Sequence, residues 1–353
     1  MKKAKIKKVI IILCILIVLI VAAIGVLSVM IYNDNFNKRF ESYEPLMLYV
    51  DDFDGLQRTQ YKFPSDKGQM LTGYMYSSGD EQHGIVVMAH GFGGGGHNSY
   101  MDCANYFAEN GYYVFAYDAT GNDESEGEAV GGLPQGVIDL DHAISFVEES
   151  GNFPNLPIVL FGHSWGGYAV TAVLNFKHSI AGVVSVSGYN SASEMTRENS
   201  KNLLNKAAPL TYLPSEVFQA AAFGRYSSLS AVNGINRARN TAVYIMHGDQ
   251  DETISYRGAS ILSHRGEITN PNVIYHTFSE PGQNTHSGVF CSKRAAEYRI
   301  QWQKKVEKLK KRYKIIPDEV WKQLCAETDI TLYYERNDDL YDSANQFFES
   351  RLK

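Results

Sequence analysis

Cysteine is scarce. Cys14, Cys103, Cys291 and Cys325 are the only four in 353 residues, too few and too scattered for a zinc site or a disulfide framework. Proline is rare too, 10 residues against 30 glycines, and with 44% apolar and 20% charged side chains the chain is neither a disordered nor a collagen-like polymer. Positive charge is lacking over most of the length. Five lysines precede residue 9, which leaves 28 basic against 39 acidic side chains, a net −11, for residues 32–353. Such a balance excludes general nucleic-acid binding, which needs a basic surface to replace phosphate counterions. At this length one domain with insertions or appendages is expected rather than a single small core.

The chain does possess one long charge-free run. After Lys2, Lys3, Lys5, Lys7 and Lys8 come 23 uncharged residues, Val9 to Ile31, enough to cross a hydrocarbon layer about 30 Å thick as a helix. Lysines before it and few basic residues after it hold the N-terminus in the cytoplasm, so a single-pass protein of the cell membrane with its catalytic domain extracytoplasmic is expected. A cleaved signal peptide is the rival reading, because Ala23-Ile24-Gly25 places small residues where a peptidase needs them. The apolar run continues past Gly25 and outlasts the ~7–15 residues of a signal core, which favours a retained anchor. The expected organisation is a basic tail (1–8), the membrane helix (9–31), a linker (32–55), a catalytic domain (56–290) and a helical extension (291–353).

From residue 56, short β-rich runs alternate with stretches of helix length, the pattern of a mostly parallel sheet with helices on both faces. Leu56 to Phe63 and Gln69 to Tyr76 read as an antiparallel opening pair. Six apolar runs follow, Ile85 to Ala89, Tyr112 to Tyr117, Ile158 to Phe161, Gly182 to Ser187, Ala242 to Met246 and Val273 to Phe278, of the kind buried on both faces. The run Gly162-His163-Ser164-Trp165-Gly166 follows the fifth strand and precedes a helix-compatible stretch. A serine exposed on such a turn needs small neighbours two residues away on either side, because side chains there would strike the strand or helix.

Serine at its free pKa is a poor nucleophile and needs a histidine held by a carboxylate. Both should lie on loops leaving the carboxyl ends of strands. His286 is the histidine beyond the last strand, whereas His276 lies within it and His264 before it. For the acid, the loop His247-Gly248-Asp249-Gln250-Asp251 offers Asp249 and Asp251.

Together these stretches, with His90-Gly91-Phe92 and Asp118 to Gly127, resemble the α/β-hydrolase superfamily over residues 56–290, in particular its serine-aminopeptidase-like and acylglycerol-lipase-like esterase branch. The resemblance implies an α/β-hydrolase fold with an eight-stranded, mostly parallel sheet, a helical cap at about 189–240, and a Ser164, Asp251, His286 triad. It also implies backbone N–H donors to an oxyanion at Phe92 and Trp165. No metal or organic cofactor is needed, and the substrate is a small ester or a peptide. The loop after the fourth strand departs from the pattern, with Thr120 where an arginine is usual.

A competing reading is dinucleotide binding, because Gly91-Phe92-Gly93-Gly94-Gly95-Gly96 fits G-x-G-x-x-G and Asp118 follows at the next strand end. It leaves His90, Ser164, Asp251 and His286 unexplained. An inactive surface binding module of the same fold is the other alternative. In the cap, 207–223 is nearly uncharged and suits an acyl or aromatic substrate. In the tail, Ala295, Tyr298, Trp302, Val306, Leu309, Tyr313 and Ile316 trace one helical apolar face. The basic 294–314 helix, which carries all of these but Ile316, is a candidate for contact with anionic lipid.

Overall fold

In the computed structural model, which describes residues 2–42, 46–313 and 315–352, the eight expected strands form one sheet. They are β1 (Gln57–Pro64), β2 (Met70–Ser77), β3 (Gly84–Ala89), β4 (Tyr112–Tyr117), β5 (Ile158–His163), β6 (Ile180–Val186), β7 (Ala242–Gly248) and β8 (Val273–Phe278). Their order is β1-β2-β4-β3-β5-β6-β7-β8. β2 runs antiparallel to both neighbours and all later pairs are parallel. Alternate residues of a strand face opposite layers. Ile85, Val87, Phe115 and Leu160 therefore enter one core, and Val86, Met88, Val114 and Phe161 enter the other. β8 departs from the expectation of burial on both faces. As the edge strand it leaves Ile274 exposed.

The first core is covered by α3 (Gln135–Glu149), α4 (Trp165–Ala172) and α7 (Ala231–Arg237), the second by α2 (Met101–Glu109) and α11 (Asp338–Glu349). Between β6 and β7 the cap consists of α5 (Ala192–Leu204), α6 (Pro209–Phe223) and α7. The tail adds α8 (Lys293–Arg312), α9 (Asp318–Ala326) and α10 (Ile330–Tyr333) before α11. In α8, Ala295 and Val306 are buried and Trp302 packs on Trp321 and Tyr333, so the expected apolar face is used against its neighbours. Lys314, at the end of the expected 294–314 stretch, lies outside the described residues. The expected boundary at 290 does not divide the packing, because Leu340, Tyr341, Phe347 and Phe348 of α11 sit in the second core. No disulfide forms among the described residues, and Cys103 and Cys291 are buried thiols.

The apolar run lies inside α1 (Lys2–Phe36), one helix long and apolar enough to cross a membrane. The stretch 32–55, expected to be a linker, is instead packed where it is described; residues 43–45 lie outside the described residues. α1 continues to Phe36, and Tyr32, Phe36 and Phe40, four residues apart, present their rings to the domain. Tyr32 packs on Phe218 of α6, and Phe36 and Phe40 pack on Phe92.

Candidate active site

At the carboxyl end of β5 the chain reverses into α4 with Ser164 at φ 57°, ψ −113°. This is a sparsely populated conformation for a residue with a side chain, and such strain persists only where surroundings impose it. The surroundings are tight. A Cβ on Gly162 would overlap the carbonyl of Gly166, and one on Gly166 would overlap the carbonyl of Ala89. The glycines two residues either side of Ser164 are therefore sterically required, as the sequence pattern implied.

Ser164 Oγ lies 3.0 Å from His286 Nε2, and His286 Nδ1 lies 2.8 Å from Asp251 Oδ2. All three residues are nearly buried. Asp249 points elsewhere, accepting from Asn284 Nδ2 at 2.8 Å, so of the two candidate acids only Asp251 reaches the imidazole. The Asp251 carboxylate is held from every side. Oδ1 accepts the N–H groups of Thr253 and Ile254 at 2.9 and 2.8 Å, and His247 Nε2 stands 3.1 Å from Oδ2. Burial works against its charge, but the hydrogen bonds and rings of His247 and His286 outweigh it and hold the carboxyl well below the usual carboxylate range. Glu252 adds a brace, accepting the His286 backbone N–H at 3.2 Å.

The loop after β3 lies against Ser164. A Cβ on Gly91 would sit 3.6 Å from Ser164 Cβ, and the Phe92 ring meets Trp165 edge-on with centroids 5.4 Å apart. Trp165 is the first residue of α4, where N–H groups have no intrahelical acceptor and favour negative charge. Trp165 is fixed by Nε1, which donates to the Leu133 carbonyl at 2.7 Å. His90 ties two loops together: Nδ1 donates to Gly91 O at 2.7 Å and Nε2 accepts from Ala119 N at 3.0 Å. Burial lowers its pKa, which keeps the ring neutral in those roles.

Two residues near the serine carried no sequence signal. Tyr100 accepts the Gly91 N–H at 3.0 Å and its hydroxyl lies 2.7 Å from His163 Nδ1. His163 Nε2 donates in turn to the His286 carbonyl at 3.1 Å. Burial and the neighbouring His286 push the His163 pKa down to about 3, so this chain of bonds joins the β3 loop to the His286 loop without adding charge.

The loop after β4 lacks its usual arginine, and other residues brace it. Asp139 accepts from the Thr120 N–H at 2.8 Å and its hydroxyl at 3.0 Å. Arg39, just past α1, donates to the carbonyls of Ser125 and Gly127 at 3.1 and 2.9 Å and to that of Asp123. Asp118, the residue a ribose would require, is instead consumed internally by the N–H and Nδ1 of His97, at 2.9 and 2.7 Å. It is wholly buried, which removes the dinucleotide reading.

Residues 80–217 match the family model for serine aminopeptidase, S33. A monoacylglycerol lipase of Mycolicibacterium smegmatis is 23% identical over 266 residues, 64% of this chain and 93% of that one. An esterase of Pyrococcus furiosus superposes with a TM-score of 0.53 at 18% identity, covering 78% of this chain and 98% of the other. An α/β hydrolase of Penicillium sp. sh18 does so at 0.50 and 18%, covering 65% and 91%. With the strand order and the serine turn after β5, these likenesses give the chain an α/β-hydrolase fold, similar in sequence to serine aminopeptidases and to a monoacylglycerol lipase.

Proposed function

We propose that the protein is a membrane-anchored serine hydrolase that cleaves carboxylic esters on the extracytoplasmic side. The observation that carries this is the unbroken hydrogen-bond chain from Ser164 through His286 to Asp251. In this mechanism Ser164 Oγ attacks the ester carbonyl carbon while His286 Nε2 takes its proton. Asp251 holds the Nδ1–H tautomer and stabilises the imidazolium. The N–H groups of Phe92 and Trp165 receive the oxyanion. Collapse expels the alcohol, which takes the proton from His286, and water attacks the acyl-serine by the same route in reverse.

Five lysines before residue 9, and only Lys38 and Arg39 soon after α1, support an N-terminus in the cytoplasm. Lys304, Lys305, Lys308 and Lys311 are exposed on α8 and are the groups that would meet anionic headgroups, each contributing about 1 kcal/mol near such a surface. The peptidase reading draws on the family model, whose description is an aminopeptidase; both reactions pass through the same acyl-serine. The test is labelling of the full chain by a fluorophosphonate, with Ser164→Ala as control, followed by turnover of short p-nitrophenyl esters and of aminoacyl naphthylamides. Labelling and ester turnover that vanish in Ser164→Ala are expected. No labelling of the parent protein would leave the inactive binding module.

A further inference from the structure

We propose that residues 36–42, the stretch that leaves α1, act with Asp123 as a clasp on the β3 loop and position the Phe92 N–H for the oxyanion. This deepens the reading above and rests on it. The loop itself is poorly suited to hold a donor still. Behind Phe92 run Gly93, Gly94, Gly95 and Gly96, and glycine surrenders more backbone freedom on ordering than any other residue. Gly93 and Gly95 take φ 89° and 84°, in the left-handed region. An oxyanion donor helps only when it is already in place as charge develops, so contacts from outside the loop must fix it. Tyr100 does so at Gly91. Ser99 holds the Gly94 carbonyl at 2.7 Å, and the stretch leaving α1 holds the positions on either side.

Phe40 meets the Phe92 ring edge-on with centroids 4.9 Å apart, and Phe36 stands 6.1 Å from it. A Cβ on Gly93 would touch the Phe40 ring at 3.9 Å, and one on Gly95 would strike the Ser42 backbone, so loop and clasp lie directly against each other. Asp123 locks the pair. Its Oδ1 accepts the Ser42 N–H at 2.6 Å, and its Oδ2 accepts the Gly96 N–H at 2.7 Å together with the Ser42 hydroxyl. One carboxylate thus joins the β3 loop, the stretch from α1 and the loop after β4. Asp123 does this at φ 35°, a backbone region sparsely used by residues with a side chain, where strain persists only if the surroundings impose it. The clasp is fixed in turn. The Phe40 N–H donates to the Gly121 carbonyl and the Asp123 N–H to the Phe40 carbonyl, both at 3.0 Å, while Lys38 O accepts from Val130 N at 3.0 Å and Asn37 Oδ1 from Gly131 N at 2.9 Å. The oxyanion donor is therefore fastened to the segment that carries the apolar helix, whereas Ser164, Asp251 and His286 follow β5, β7 and β8.

The experiment uses the full chain with Asp123→Gly and, separately, Phe40→Ala. Glycine adopts the left-handed backbone without strain but cannot hold Ser42 or Gly96, and alanine takes the ring from Phe92. Activity on a short p-nitrophenyl ester is read well below each melting temperature, so that folded enzyme is compared. Removing an oxyanion donor outright costs about 10²–10³ in kcat. Loosening one should cost less: kcat is expected to fall about tenfold in Asp123→Gly and about fivefold in Phe40→Ala, with KM within about twofold of the parent. The second readout is inhibition by an alkyl trifluoromethyl ketone. Ser164 Oγ adds to its carbonyl carbon, the serine proton passes to His286, and the carbonyl oxygen becomes the oxyanion, so inhibition should weaken by the factor that kcat loses. Asp123→Gly turnover within about twofold of the parent, or a fall in kcat with unchanged ketone inhibition, would overturn the clasp and leave the triad reading intact. A parent protein that neither hydrolyses the ester nor binds the ketone would remove the esterase reading and the clasp with it.

Discussion

Replacing Asp251 by Asn keeps the shape of the site and reverses one hydrogen bond. The amide oxygen can still accept from the N–H groups of Thr253 and Ile254, which now hold Oδ1 at 2.9 and 2.8 Å. The amide NH₂ must then occupy the place of Oδ2 and face His286 Nδ1, 2.8 Å away, and His247 Nε2, 3.1 Å away. A donor opposite a donor is resolved by moving the His286 proton to Nε2, the atom 3.0 Å from Ser164 Oγ. That nitrogen can no longer accept the serine proton. The expected loss in kcat is on the order of 10⁴-fold, or about 5.5 kcal/mol at about 1.36 kcal/mol per decade. Asp249→Asn should cost less than about threefold, because the Asp249 carboxylate meets Asn284 and not the imidazole. The assay is kcat and KM on a short p-nitrophenyl ester with both variants checked for unchanged melting. Equal losses in the two variants, or an Asp251→Asn enzyme within tenfold of the parent, would refute the acid assignment.

Tyr100→Phe leaves the Gly91 N–H without its acceptor, at a cost of about 1–3 kcal/mol; kcat should fall roughly tenfold with KM little changed, and an unaltered kcat would show that the β3 loop does not depend on Tyr100. Arg39→Ala removes donors to the carbonyls of Asp123, Ser125 and Gly127, and thermal melting should show a loss of about 1–2 kcal/mol, a few degrees; an unchanged midpoint would mean that Asp139 alone braces the loop. His178 lies between Asp141 and Glu148, at 2.7 and 2.9 Å. Burial alone would lower its pKa, but the two carboxylates outweigh burial and raise it. Its pairing therefore stabilises the fold fully below about pH 6.5 and fades as pH rises through the raised native value. His178→Gln should melt below the parent at pH 5.5, by up to about 1 kcal/mol, and alongside it at pH 9; a gap that widens with pH would contradict this.

The strands were legible because buried parallel strands write themselves as apolar runs, and Ile85 to Ala89 or Tyr112 to Tyr117 admit little else. The serine turn was legible because Gly162 and Gly166 answer a steric demand that acts within four residues. Asp249 and Asp251 could not be separated by spacing alone, since the decision depends on where Asn284 and His286 come to lie after β8. Tyr100 and Arg39 were illegible for the same reason in stronger form: their partners His163 and Gly127 lie 63 and 88 residues away. The packing of 32–40 is illegible in the sequence because Tyr32, Phe36 and Phe40 make sense only against Phe92 and Phe218.

Because α11 supplies Leu340, Tyr341, Ala344, Phe347 and Phe348 to the core beside β4, β5 and β6, the sheet cannot close one face until α11 has been made. Ribosomes add about 5–20 residues per second, so α1 is complete tens of seconds before its domain is. During that interval Val114, Phe161 and Val184 stand bare on an incomplete chain. Biogenesis should thus depend on holdase chaperones, and a premature stop anywhere before residue 338 should yield not a shorter enzyme but a substrate for quality-control proteases.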